Sequence, residues 1–97
     1  MIAQFEKLVA AGIQIIPSEI ASHVIFERDG FVAFVERRED SFGNIGAPGL
    51  MTEHGYAALV WRGDQGFFVG KGFDQAATLE QVQKIRAFAA DLAAALS

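Results

Sequence analysis

His23 and His54 are the residues with the most versatile chemistry at neutral pH, as acids, bases or metal ligands. They fall in neither an H-x-H nor an H-x-x-x-H spacing, and the chain has no cysteine. A metal site would therefore need His23, His54 and a carboxylate to meet in the folded chain. The simpler reading makes His23 a cross-strand partner of Glu36 and His54 a surface loop residue. Ser41, in Glu39-Asp40-Ser41-Phe42-Gly43, lacks the first glycine of a nucleophile elbow. Glu36, Glu39 and Asp40 are close in sequence, but paired-acid catalysis needs two carboxylates flanking a pocket, and a solvated strand end accounts for them. Gly43, Gly46 and Gly49 match neither G-x-G-x-x-G nor a phosphate-binding loop, and no Gly-Lys-Ser/Thr follows. Arg62-Gly63-Asp64 spells a tripeptide known from integrin ligands; between two apolar runs, Gly63 and Asp64 read as turn residues. No catalytic residue, metal or cofactor is expected.

The elements that would position these residues follow from periodicity. Ile2, Phe5, Leu8 and Val9 share one stripe of a helix over 2–11, ended by Gly12. Ile13 to Ile16 is extended in character and is a candidate extra strand; Pro17 stops it, and Ser18 caps a turn over Glu19 to Ala21. Residues 22–28 and 31–38 form a hairpin about Asp29-Gly30, a pair that accepts positive φ at both turn positions. A second hairpin joins 56–62 to 66–72 through Gly63-Asp64-Gln65-Gly66. A long helix spans 78–96, with Thr78 and Gln81 as a capping box and Leu79, Val82, Ile85, Phe88, Leu92 and Leu96 as its buried stripe. Residues 39–55 read as a long loop, either a lid or an apolar flap over the core. The fold class is α+β, in the order α-β-β-β-β-α: a four-stranded antiparallel sheet with both helices on one face.

Pairing across Asp29-Gly30 sets Arg28 opposite Phe31, Phe26 opposite Ala33 and Val24 opposite Val35, with Glu27–Val32, Ile25–Phe34 and His23–Glu36 on the other face. In the second hairpin a four-residue turn sets Arg62 opposite Phe67, Trp61 opposite Phe68, Val60 opposite Val69 and Leu59 opposite Gly70. One face then collects Val24, Phe26, Phe31, Ala33, Val35, Ala57, Leu59, Trp61 and Phe68, a seat for the helices. The other carries Ile25, Val32, Phe34, Val60, Phe67 and Val69, with Tyr56, and a rim of His23, Glu27, Glu36, Arg38, Arg62 and Lys71. An apolar centre with a charged rim is the anatomy of an interface.

Composition sets the bounds. The chain has 97 residues, 12 acids against 8 bases and a net charge of −4. One domain, 1–97, is expected. The acidic balance argues against nucleic acid or an anionic membrane as partner. The apolar run from Leu8 to Ser18 is too short to span a bilayer, and no signal peptide is expected. The absence of cysteine suits a reducing compartment, and the expected location is cytoplasmic. The functional expectation is a homodimeric, non-enzymatic module acting through protein contacts at the second sheet face. The alternative is a small-molecule-binding protein or enzyme with a pocket between the 39–55 loop and the sheet, lined by Phe42, Met51, His54, Tyr56 and Trp61.

Overall fold

The computed structural model describes residues 2–16, 18 and 22–97. The expected stop at Pro17 and turn over Glu19 to Ala21 lie outside the described residues. The elements run α1 (Ile2–Ala10), β1 (Gln14–Ile16), β2 (His23–Arg28), β3 (Phe31–Arg37), β4 (Phe42–Ile45), β5 (Gly49–Thr52), β6 (Gly55–Arg62), β7 (Gln65–Gly70), β8 (Phe73–Ala76) and α2 (Leu79–Leu96).

The expected class, α+β, stands, but the four-stranded sheet does not. Among the described residues, one curled antiparallel sheet of eight strands forms a half-barrel in the order β1-β2-β3-β5-β6-β7-β8, with β4 paired to β3 beside β5. The candidate strand before Pro17 is realised as β1, which pairs with β2. Residues 39–55 are not a lid or flap. They supply β4 and β5, which share one flank of β3: Val35 and Arg37 pair with Ile45 and Phe42, and Phe31 and Val32 pair with Leu50 and Gly49. Gly46-Ala47-Pro48 separates the two strands, and Pro48 has no amide hydrogen to give a ladder. β8 is short and polar, so its sequence carries no alternation to announce it.

All six pairs expected across Asp29-Gly30 are present. Asp29 at φ 55° and Gly30 at φ 88° supply the two positive dihedrals that the turn demands. The second hairpin is shifted by two residues. Its turn is Gly63-Asp64 alone, so Arg62 faces Gln65, Trp61 faces Gly66, Val60 faces Phe67 and Leu59 faces Phe68. A shift of two leaves every side chain on the face first assigned to it.

The helices cover one face. Leu8 of α1 and Val82, Ile85, Phe88, Leu92 and Ala95 of α2 pack with Phe26, Phe31, Ala33, Val35, Ala57 and Phe68 in one buried cluster. The capping box of α2 is complete: the Gln81 amide donates to Thr78 Oγ1 at 3.1 Å and the Thr78 amide to Gln81 Oε1 at 2.9 Å. Leu79, expected in the buried stripe, is 75% exposed, because it lies in the first turn, at the very start of the helix. α1 ends as expected at Gly12, where Ile13 donates to the Leu8 carbonyl and Gly12 to that of Val9. Only Leu8 of its expected stripe is buried; Ile2, Phe5 and Val9 are exposed. Arg28 ties the sheet to α2 and to the turn that follows α1, donating to Asp91 at 2.8 Å and to the Ala11 carbonyl at 2.9 Å.

Candidate functional site

The face of the sheet turned away from the helices is built by strand alternation. The register aligns Ile25 with Phe34, Met51 with Tyr56 and Val60 with Phe67, and runs Glu27, Val32, Gly49, Ala58, Val69 and Asp74 in one row across the sheet. Ile25, Val32, Phe34, Val60, Phe67 and Val69 therefore share one face. Val32 is fully buried and Ile25 nearly so, yet neither belongs to the cluster beneath the helices. Phe34, Phe67 and Val69 are half-buried, and Val60 is exposed. The Phe34 ring meets Tyr56 edge-on with centroids 5.1 Å apart.

Charge surrounds this centre. The Glu27 carboxylate accepts from Gln14 at 3.1 Å, and Glu36 pairs with Arg38 at 3.1 Å. The Arg62 guanidinium lies 4.5 Å from the Phe67 ring centroid and 3.1 Å from Asp74. No ion pair forms at Lys71 among the described residues. Exposed pairs of this kind add little stability, at most about 1 kcal/mol each. Their positions set what the face attracts.

The five residues expected to line a pocket are not brought together. Phe42 packs on the helix side, edge-on to Phe26 at 5.4 Å. Met51 and Tyr56 pair on the opposite face. His54 is exposed in the β5–β6 turn, its amide donating to Thr52 Oγ1 at 3.1 Å. Tyr56 donates its hydroxyl to the Ala47 carbonyl, and burial pushes the phenol pKa above its ordinary value. The ring of Trp61 lies on the helix side, under the Arg86 guanidinium.

His23 aligns with Glu36 as expected, but its Nδ1 shares a 2.8 Å hydrogen bond with the Ser22 hydroxyl. The register sets His23 and His54 at opposite ends of the strands. Among the described residues, no group of three or more His, Asp or Glu is placed to hold a metal ion. The Arg62-Gly63-Asp64 tripeptide is a turn whose arginine is engaged with Asp74 and Phe67.

Sequence reasoning missed one feature. A groove runs between α2 and β6, and Trp61 and Arg86 belong to both of its halves. Arg86 stacks over the indole at 5.5 Å from its centroid, and Gly66, opposite Trp61, leaves room for the ring. Trp61 is visible in the sequence as an aromatic on the helix side, but its meeting with Arg86 depends on how α2 lies across the sheet.

No family model matches this chain, and no curated protein or solved structure matches it either. Among the described residues no helix is long and apolar enough to cross a membrane.

Proposed function

We propose that this chain is a non-enzymatic interaction module that pairs with a second copy of itself through the sheet face opposite the helices. One observation carries the reading: that face has an apolar centre and a charged rim in which Glu36 pairs with Arg38 and Arg62 with Asp74, while Glu27 and Lys71, on opposite flanks, have no ion pair among the described residues. Glu27 and Glu36 stand on the β2–β3 flank; Arg62 and Lys71 stand at the β6 end and the β7–β8 turn. The register sets Glu27 and Lys71 toward one end of the strands, and Glu36 and Arg62 toward the other.

A two-fold axis parallel to the strands would lay Glu27 against Lys71 of the second copy, a pairing made twice, and would bring the Glu36–Arg38 pair beside the Arg62–Asp74 pair. An axis across the strands would oppose acid to acid, which like-charge repulsion disfavours. The unpaired rim charges, Glu27 and Lys71, complement each other in the first orientation. A net charge of −4 keeps nucleic acid and anionic membranes out of this reading. The absence of cysteine favours the cytoplasm as its compartment.

The test is the Phe34→Glu variant, measured by light scattering and circular dichroism. A carboxylate buried in a desolvated patch costs several kcal/mol, and the two-fold doubles it. The expected result is a wild-type dimer and a folded monomeric variant, since the helix-covered core is untouched. Val60→Glu, at a more exposed position, repeats the test should Phe34→Glu unfold. A monomeric wild type, or a Val60→Glu variant that stays dimeric, overturns the proposal.

A further inference from the structure

We propose that the groove between α2 and β6 binds a small apolar carboxylate, an arylalkanoic acid in chemical class. The inference is independent of the sheet-face reading, because the groove lies on the helix side.

Trp61 and Arg86 divide the groove into two lobes. One, of about 220 Å³, is walled by Ala47, Pro48, Leu59, Ile85 and Ala89 in addition to the shared pair. Among the described residues, Arg86 is the only charged one in that wall. The other lobe, of about 340 Å³, carries Asp64 and Gln65 beside Gly66, Ala77, Leu79 and Val82. Asp64 repels an anion from the second lobe, so the first is the one suited to a ligand with an apolar body and a single negative charge.

Arg28, Arg38 and Arg62 each pair with a carboxylate, whereas Arg86, like the exposed Arg37, has no such partner among the described residues. Its guanidinium is instead held over the indole ring. An un-neutralised planar fork resting over the indole matches the two oxygens of a carboxylate. Trp61 is 47% exposed and offers the rest of its ring to an apolar partner. The lobe is smaller than ordinary ligand pockets of roughly 300–1,000 Å³, which limits the ligand to one ring and a short chain.

Trp61 is the only tryptophan in the chain, so its emission reports on this groove alone. The probes are 4-phenylbutyrate and its neutral amide, titrated into the wild type, Arg86→Gln and Ala89→Leu, with circular dichroism as the folding control. The expected result is a saturable change with the carboxylate and binding of the amide weaker by about tenfold, as befits the loss of one charge-assisted contact. Arg86→Gln should abolish that preference, and Ala89→Leu, which fills the lobe, should abolish binding. Arg86 is exposed, so its variant retains the fold and decides the matter even where Ala89→Leu does not fold. Equal affinity for acid and amide, a preference that survives Arg86→Gln, or no saturable response to the acid overturns the proposal.

Discussion

Tyr56 lies against the backbone of Gly49: a β-carbon built there would stand 2.6 Å from the ring's Cε2 and 2.3 Å from the Ala57 carbonyl oxygen. The ring can occupy that place only because Gly49 has no side chain. Gly49→Ala must push the ring or the strand aside, and overpacking of this kind costs about 1–3 kcal/mol. Urea denaturation should show the loss. An unchanged midpoint would mean that β6 and the Tyr56 ring both move away from Gly49 without cost.

Tyr56 also sets a pH limit. Burial raises its folded-state pKa above the ordinary 10.0, so the folded chain holds the phenolic proton more tightly than the unfolded chain does. The associated stability is complete below the unfolded value and is lost as pH rises through the folded one. Tyr56 is the only tyrosine, so phenolate absorbance isolates it. The midpoint should lie higher in the folded chain than in urea; coincident midpoints would contradict the burial.

Thr78→Ala removes the hydroxyl that accepts from the Gln81 amide at the start of α2. The expected loss is about 0.5–2 kcal/mol in thermal or chemical unfolding. Oligomeric state should not change, because the cap is remote from the open sheet face. A variant as stable as the wild type would show that the first turn contributes little.

Charge exchange tests the orientation of the proposed dimer. Lys71→Glu should weaken self-association, by sedimentation, because it sets acid against Glu27 of the second copy. Adding Glu27→Lys to the same chain should restore much of what was lost. A double variant no tighter than the single one would rule out the axis parallel to the strands.

The first hairpin was legible to the residue, because Asp29-Gly30 admits one tight turn and the alternation does the rest. The second was ambiguous by two residues. Gly63 and Gly66 both look like turn glycines, but Gly66 is a strand residue opposite Trp61. β4 and β5 were hidden by glycines for the same reason. Gly43 lies beneath Arg38 and Glu36, Gly46 against the Phe34 carbonyl and Gly49 beneath Tyr56. Each makes room for a neighbour, and together they imitate a loop. In α1 the apolar spacing suggests one packed stripe, but only Leu8 packs inward, and Ile2, Phe5 and Val9 stay exposed. The members of the open face were readable because alternation survives a two-residue slip; the groove at Trp61 was not, because no local pattern encodes the position of α2.

The sheet order has a kinetic consequence. From β2 through β8 the strands pair with near neighbours in sequence, and four of the turns contain only two residues: 29–30, 53–54, 63–64 and 71–72. Closing such short loops costs little chain entropy, so the sheet can zip one hairpin at a time, faster than β folds built from distant strands. The widest closure belongs to the helices, where Gln4 donates to the Leu96 carbonyl across 92 positions of sequence. That contact has the most chain freedom to overcome, which makes the docking of α1 on α2 the closing event of assembly.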